Sequence, residues 1–327
     1  MGRRHIEVCK KLNLNLVGLI DISIDSLDIA KKEHNLSDNI LFLELDSLLK
    51  KLIPECVIIA TTADSHCDLT IKLSEMGVKY ILVEKPMATS VEDSNKMISI
   101  CEKNNTKLAV NHQMEFLDQY ITPKNLLNNT EYGGFTSMTV IAGNIGFSMN
   151  ALHFFEAFRF LTNEEPVEVT AWFSDKIVAN PRGTQFEDRA GSIRVVSKSG
   201  KRLYMEIGSD QGNGLIVNYF ARNGNIVIDE LTGDMRTYLR EEKYLDLPTT
   251  RYGMPSNVNN TKINAVEIID STASVLSNLF NNVNNESALN GLSAVKVLVA
   301  AYESAENLNK AIKISNLTYE TKKFPWA

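Results

Sequence analysis

The stretch that decides the fold is residues 56–86, CVIIATTADSHCDLTIKLSEMGVKYILVEKP. It opens with the apolar run 56–60 and closes with a second one, 80–83, and between them residues 65–76 have a helical spacing of apolar positions. Continuous apolar runs of this length are typical of strands buried on both faces, as in a parallel sheet covered by helices. The stretch therefore predicts a strand–helix–strand unit of an α/β domain.

The same alternation continues on both sides of this unit. Strands are also predicted at residues 14–20, 40–43 and 108–110, and helices at 5–12, 25–34 and 90–104. Ser90 is a predicted N-cap, with Glu92 and Asp93 in the first turn, where the helix dipole favours acidic residues. Residues 1–113 are thus predicted to form a doubly wound parallel sheet, a Rossmann-like domain.

The pattern changes in residues 114–327. A helix is predicted at 149–161, and it is followed by short strands at 167–173, 192–196, 202–207, 215–221 and 225–229. Asn223-Gly224 between the last two strands is typical of a hairpin turn. A closing helix at about 289–308 and a final strand near 313–319 follow, with the Asn-rich residues 281–285 as a loop. We expect a second, α+β domain on a mostly antiparallel sheet.

Composition argues against several classes of partner. The 327 residues carry 34 Lys and Arg against 40 Asp and Glu, a net charge of −6 without a basic stripe, which disfavours nucleic-acid binding. No apolar run reaches the roughly 18 residues that span a bilayer, so no membrane association is expected. The cysteines have neither metal-ligand nor disulfide-framework spacing: Cys9, Cys56, Cys67 and Cys101. Reduced thiols and the lack of a targeting signal indicate a cytoplasmic protein without a metal site.

Ligands of doubly wound sheets bind outside the carboxyl ends of the strands. Asp21 ends the first predicted strand, 19 residues after Gly2, close to the spacing at which a carboxylate contacts the adenosine ribose of a dinucleotide. A carboxylate there would repel the 2′-phosphate of NADP and favour NAD. The alternative is that Asp21 caps the next helix, a role for which Asp25 competes.

The next two strand ends carry polar residues as well. Thr61 and Thr62 are small enough to let a ligand approach the backbone, although the turn is equally explained by Asp64 or Ser65 as an N-cap. Lys85 follows Glu84 and precedes Pro86, which places it on a rigid turn at the crevice. There it can take part in proton transfer or bind a substrate hydroxyl, the alternative being a surface pair with Glu84.

In the second half, His153 and Glu156 share one face of the predicted helix 149–161. A carboxylate beside an imidazole can hold its tautomer and raise its basicity. The alternative is a histidine packed in the core, because the neighbouring positions are rich in phenylalanine.

These features together resemble the Gfo/Idh/MocA family of nicotinamide-dependent sugar and polyol oxidoreductases. Gly2-Arg3-Arg4-His5 resembles the end of the glycine fingerprint of the family, and Thr61 to His66 its T-x-x-x-x-H turn. Residues 83–88, VEKPMA, match its most specific motif, and Val110-Asn111-His112-Gln113 the strand end that follows. His153 fits the second catalytic signature, and residues 289–308 resemble the closing helix of the family.

The resemblance implies hydride transfer between a carbinol carbon and nicotinamide C4, with His153 as the general base and Lys85 lowering the energy of the alkoxide. Asn150 or Glu156 are candidates to support His153. The implied cofactor-binding residues, with NAD preferred and NADP as the other possibility, are Gly2, Arg3, Asp21, Thr61, Thr62, His66, Glu84, Lys85 and Asn111. Candidate substrate contacts are His112, Gln113, Arg182, Arg251 and Tyr252. A homodimer or homotetramer is also implied.

Two departures from the family pattern favour a different activity, that of a weakened or inactive member that binds sugar or dinucleotide as a sensor or scaffold. Family members commonly carry Asp four residues before the catalytic histidine, where this chain has Met149. The chain also begins at the end of the fingerprint, so the sheet is expected to lack its first strand. About ten further residues are expected upstream in the natural protein.

Overall fold

The computed structural model of the protein describes residues 1–143, 145–248, 255–264, 267–281 and 286–326. In these ranges the α-helices are α1 (Gly2–Lys11), α2 (Ile24–His34), α3 (Leu45–Leu49), α4 (His66–Glu75), α5 (Val91–Lys103), α6 (Asp118–Leu127), α7 (Leu152–Thr162), α8 (Ile268–Asn281) and α9 (Glu286–Glu306). The strands are β1 (Leu19–Ile20), β2 (Leu41–Phe42), β3 (Cys56–Ile59), β4 (Tyr80–Val83), β5 (Lys107–Val110), β6 (Phe135–Ala142), β7 (Pro166–Val178), β8 (Asp188–Ser197), β9 (Arg202–Ile207), β10 (Ile216–Ala221), β11 (Gly224–Asp229), β12 (Asp234–Arg240), β13 (Ser256–Lys262) and β14 (Ile312–Lys313). None of these helices is long and apolar enough to span a bilayer.

The first part of the chain forms the predicted parallel α/β layers. Strands β3, β4 and β5 pair in parallel, and Ile59, Val83 and Val110 end level with one another. Strands β1 and β2 form a separate parallel pair. The prediction of a strand over residues 14–20 is correct only at Leu19–Ile20, because only these two residues have a partner strand.

Side-chain caps mark the start of two helices of this domain, α5 and α2. The hydroxyl of Ser90 accepts a hydrogen bond from the Asp93 amide at 3.0 Å, as predicted for the start of α5. Ser23 is the N-cap of α2, and its hydroxyl accepts a hydrogen bond from the Ser26 amide at 3.3 Å. Asp25 lies inside the first turn, so the expectation that it competes as the cap is wrong.

The second sheet has nine strands in the order β13-β12-β11-β10-β6-β9-β8-β7-β14. Of the pairs between described strands, β6–β9 is parallel and the others are antiparallel, in agreement with the predicted mostly antiparallel sheet. One face carries buried residues such as Val140, Ile193 and Met205, and α7 and α9 pack on this side. Strand β14 is shorter than predicted, since the buried Glu303 carboxylate binds the amides of Thr318 and Tyr319 and turns the chain away.

Helices α8 and α9 carry the second half of the chain back onto the first sheet, which the sequence did not lead us to expect. Helix α8 packs on α1, β4 and β5, and α9 lies between β5 and α5 on one side and α7 and β7 on the other. A Cβ at Gly291 would lie 2.4 Å from Val110 Cγ2, so glycine is what allows α9 to lie against β5. This contact holds the carboxyl edge of the first sheet next to α7.

Candidate active site

The carboxyl ends of β3, β4 and β5 place polar residues along one edge of the parallel sheet. Thr61, Glu84 and Asn111 each follow one of these strands, directly or after one residue, and Asp21 follows β1. This edge is where ligands of doubly wound sheets bind.

Glu84 is the centre of a buried hydrogen-bond group. Its Oε1 accepts from His5 Nε2 at 2.7 Å and from Asn111 Nδ2 at 2.9 Å. Burial opposes ionisation, but these two hydrogen bonds and the Lys85 charge outweigh it and lower the pKa of Glu84 to about 2. Glu84 is therefore an anion with one oxygen already occupied.

His5 was not among the predicted site residues. A signal for it exists, because His5 is the polar member of the buried face of α1, which also contains Ile6, Val8 and Cys9. A buried histidine on an otherwise apolar face needs a partner, and Glu84 provides it.

Lys85 lies at the end of β4 and is partly buried. Its ammonium donates a hydrogen bond to the Met149 carbonyl, in the π-helical turn Phe147–Ala151 that leads into α7. Burial is the largest effect on this group and, with the charge of Arg182, lowers the pKa of Lys85 to about 8, although Glu84 and Asp188 act in the opposite direction. The lysine of the first domain therefore reaches the helix that carries His153.

His112 and His153 lie beside this lysine. Their ring centroids are 6.4 Å apart and the rings are nearly perpendicular. Burial, followed by the positive charge of Lys85, lowers the pKa of His112 to about 4 and the pKa of His153 well below its usual value. Both rings are neutral near pH 7, and within the described part of the chain neither Nδ1 has a hydrogen-bond partner.

The predicted support of His153 by Glu156 or Asn150 is not found. Glu156 binds Met114 instead, whose backbone amide donates a hydrogen bond to it. Burial, followed by the charge of Glu115, raises the pKa of Glu156 to about 8. Asn150 donates to the Ile145 carbonyl at 2.6 Å. Helical spacing put Glu156 on the same broad face as His153, but packing directs the two side chains to different neighbours.

Asp188, at the start of β8, is a second buried residue that sequence reasoning missed. Its side chain is fully buried and accepts hydrogen bonds from the amides of Ser148, Met149 and Arg189, each at 2.8 Å. Nothing in the sequence pairs residue 188 with residues 148 and 149, which lie on another element.

The predicted cofactor residues differ in their accessibility. Gly2 begins α1, and a Cβ built on it would meet no atom within 4 Å, so the helix N-terminus is open to a ligand. Arg3 forms an ion pair with Glu33 at 2.5 Å on the surface. Asp21 is exposed, and its Oδ1 accepts from the Ser23 amide at 2.9 Å.

The turn after β3 is ordered by its own side chains. Ser65 Oγ lies 2.7 Å from Thr61 Oγ1 and 2.9 Å from the Thr62 carbonyl, and Thr61 is exposed. His66 is buried, with Nδ1 2.9 Å from the Pro86 carbonyl and Nε2 3.2 Å from that of Thr61. Both ring nitrogens face backbone carbonyls, so His66 joins this turn to the one after Lys85. The contact of His66 with the cofactor stays a prediction.

The predicted substrate residues are separated by the fold. His112 lies beside Lys85, whereas Gln113 is buried and donates a hydrogen bond to Thr272 of α8. Arg182 is exposed in the β7–β8 connection, and its charge acts on both Lys85 and the Met1 amino group. Arg251 and Tyr252 lie outside the described residues.

The edge of the first sheet thus has polar groups that fit a dinucleotide. The open N-terminus of α1 offers backbone donors, and the exposed Asp21 carboxylate and the buried Asn111 Oδ1, which has no partner among the described residues, offer acceptors. Beside it, Lys85 provides a cation and His112 and His153 provide neutral bases. This combination can hold a hydroxyl and accept its proton.

Comparison with known proteins identifies relatives of part of this chain. Residues 1–112 match the model of the oxidoreductase family with an NAD-binding Rossmann fold, GFO_IDH_MocA. An uncharacterised oxidoreductase of Streptococcus pneumoniae is 34% identical over 89 residues, 27% of this chain and 24% of that protein. Inositol 2-dehydrogenase of Rhizobium meliloti is 27% identical over 131 residues, 36% of this chain and 39% of its own. The matches thus span about a quarter to two fifths of these relatives.

The structural likeness is more extensive. An oxidoreductase from Agrobacterium radiobacter, solved in complex with NAD+, L-tartaric acid and magnesium, superposes with a TM-score of 0.76 at 15% identity, over 96% of this chain and 95% of its own. The shared two-domain fold covers nearly the whole of both proteins. Residues 1–112 therefore match the Gfo/Idh/MocA oxidoreductase family with its NAD-binding Rossmann fold, and the two-domain fold of the chain is shared with a solved oxidoreductase.

Proposed function

We propose that the protein is a cytoplasmic NAD(P)-dependent oxidoreductase that transfers a hydride between nicotinamide and a carbinol or ketone carbon of a sugar, polyol or nucleotide sugar. The observation that carries the proposal is the meeting of Lys85 with His112 and His153 at the carboxyl edge of the first sheet. The relative named inositol 2-dehydrogenase supports a polyol-like substrate.

In this proposal the N-terminus of α1 at Gly2 binds the pyrophosphate, and Asp21 binds the adenosine ribose. Glu84, held through Oε1 by His5 and Asn111, offers its other oxygen to the nicotinamide ribose. When bound, the nicotinamide ring accepts or supplies the hydride. Because Asp21 is exposed and anionic at the ribose position, NAD is preferred to NADP.

The protein then supplies the proton chemistry. His153 is neutral near pH 7 and accepts the proton of the substrate hydroxyl as oxidation proceeds. The Lys85 ammonium donates a hydrogen bond to the same oxygen and stabilises the negative charge that develops on it. In reduction the two roles reverse, and the proton returns from His153 to the oxygen.

Cofactor binding and turnover separate this proposal from the alternative of a sensor or scaffold. Thermal shift with NAD, NADP and buffer tests binding, and reduced-nicotinamide absorbance with a panel of sugars and polyols tests turnover. Tighter binding of NAD and turnover of a polyol support the proposal. Binding without turnover of any panel member favours the alternative, for which Met149 in place of aspartate is the sequence evidence.

The pH profile gives a prediction of its own. Lys85 acts as a cation, and its pKa is about 8, so kcat/KM should fall as pH rises through that value. His153 acts as a neutral base with a pKa well below its usual value, so no loss is expected down to pH 6.5. Steady-state kinetics between pH 6 and 10 test both expectations, and a profile that is flat above pH 8 contradicts the assigned role of Lys85.

We also propose that the protein is a homodimer, formed through the uncovered face of the nine-stranded sheet. Neighbouring strands expose Ile141 at 43%, Trp172 at 53% and Tyr204 at 39% on this face, while the helices cover the other face. Apolar groups exposed together on a sheet are typical of an interface.

The oligomeric state tests this assignment. Size-exclusion chromatography with light scattering measures the mass in solution. The wild-type protein is expected to be a dimer and Trp172→Glu a monomer, because the new carboxylates would be buried in the interface without partners. Leu231→Glu is the matched control, since Leu231 is 82% exposed at a turn away from this face. A monomeric wild type, or a dimeric Trp172→Glu, would overturn the proposed interface.

A further inference from the structure

Asp188 is the most completely buried carboxylate near the proposed site. Its exposed fraction is 0%, and no cation forms an ion pair with it among the described residues. Three backbone amides bind it instead, and two of them, those of Ser148 and Met149, belong to the π-helical turn before α7. The carboxylate therefore fixes the backbone of this turn.

Lys85 binds the same turn. The Met149 amide donates to Asp188 Oδ2 at 2.8 Å, and the Met149 carbonyl accepts from the Lys85 ammonium. The backbone of Met149 thus links the two charged groups: its amide binds the buried Asp188 carboxylate, and its carbonyl binds the Lys85 ammonium. The side chain of Met149 takes no part in either contact.

Gly146 shows how closely the carboxylate fits. Its φ is +69°, and a Cβ built on it would lie 2.2 Å from Asp188 Oδ2. Any larger residue at position 146 would displace the carboxylate from the turn.

We propose that Asp188 is a positioning residue for Lys85: through the amides of Ser148 and Met149 it fixes the carbonyl that orients the Lys85 ammonium. The inference rests on the proposed function for its effect on catalysis, but its effect on Lys85 is independent of turnover.

Charged groups from several elements surround Lys85 and influence its protonation. Glu84 from β4 and Asp188 from β8 favour the protonated lysine, and Arg182 from the β7–β8 connection opposes it. The neutral rings of His112 and His153 complete its surroundings. Removal of the Asp188 charge leaves Glu84 alone against Arg182 and the cost of burial.

The test measures the ionisation of Lys85 in the wild type and in Asp188→Asn. Each protein is labelled with acetic anhydride at a series of pH values from 6 to 10, and the acetylation of Lys85 is quantified by peptide mass spectrometry. Exposed Lys79 in the same protein is the internal standard. We expect the pH of half-labelling of Lys85 to fall below its wild-type value, because a charge that favours the ammonium is lost. With an active wild type, kcat should fall about tenfold or more, and the alkaline limb should move down with the labelling curve.

Glu187→Gln is the matched control, because it removes a neighbouring, half-exposed carboxylate that does not contact the turn. It should leave both labelling and kcat unchanged. If Asp188→Asn does not fold, Gly146→Ala carries the test, since its Cβ displaces the carboxylate without changing the net charge. Wild-type labelling of Lys85 in a folded Asp188→Asn or Gly146→Ala variant would overturn the inference.

Failure of the inference and failure of the proposed function give different results. A wild type that turns over no substrate, together with a shifted Lys85 in Asp188→Asn, supports the positioning role and contradicts the oxidoreductase proposal. If the wild type is active and Asp188→Asn matches it in labelling and kcat, the oxidoreductase proposal is supported and the positioning role of Asp188 is contradicted.

Discussion

Lys85→Met is expected to lower kcat by about 10²–10⁴-fold while the protein stays folded and still binds NAD. In the proposed mechanism the ammonium stabilises the negative charge that develops on the substrate oxygen, and methionine preserves the length of the side chain without the charge. Turnover by reduced-nicotinamide absorbance and NAD binding by thermal shift measure the two effects. Lys79→Met is the control, since Lys79 pairs with Glu55 on the surface at 3.0 Å and should be dispensable.

The stability of Lys85→Met separates a catalytic from a structural role. Burial lowers the pKa of Lys85, which means that its charged form is disfavoured by the fold at neutral pH. Removal of this charge should leave the midpoint of thermal unfolding unchanged or raise it. A variant that loses activity together with many degrees of stability would contradict the assignment of Lys85 to catalysis.

His153→Gln is the second large effect, with an expected loss of about 10²–10⁴-fold in kcat. Glutamine can still form hydrogen bonds but cannot accept a proton near pH 7, so substrate binding should persist while turnover fails. The measurements are kcat and KM for the substrate that the panel identifies. His34→Gln is the control, because His34 lies at the end of α2, away from Lys85 and His153.

His112 is the competitor for the role of base. It lies 6.4 Å from His153 between ring centroids and is also neutral near pH 7. Activity retained in His153→Gln and lost in His112→Gln would assign proton transfer to His112 instead. Loss in His153→Gln with a smaller effect in His112→Gln supports the proposed mechanism.

The sequence predicted most of the first domain because its signals are local. Continuous apolar runs identify β3, β4 and β5, and the motif at residues 83–88 places Lys85 at the end of β4. Hydroxyl and acidic residues marked the start of α5 in the same way. Such features depend on neighbouring residues alone, so no knowledge of the packing was needed.

Side-chain direction was predicted less well. Glu156 and His153 are three residues apart on α7, yet the first faces Met114 and the second lies near Lys85. Gln113 follows directly after His112, yet it packs on α8. In each pair the choice of partner is made by elements distant in sequence, whose positions follow from the core.

By itself, the sequence determined a Rossmann-like domain joined to a sheet-rich second domain, with Lys85 and His153 as the pair to examine. The tertiary structure alone decided that His5 binds Glu84, that Asp188 fixes the turn before α7, and that the final helices return to the first sheet. The physical reason is that buried polar groups must find partners wherever the packed core brings them, and those partners lie tens to hundreds of residues away. Local sequence patterns do not predict contacts between residues so far apart in the chain.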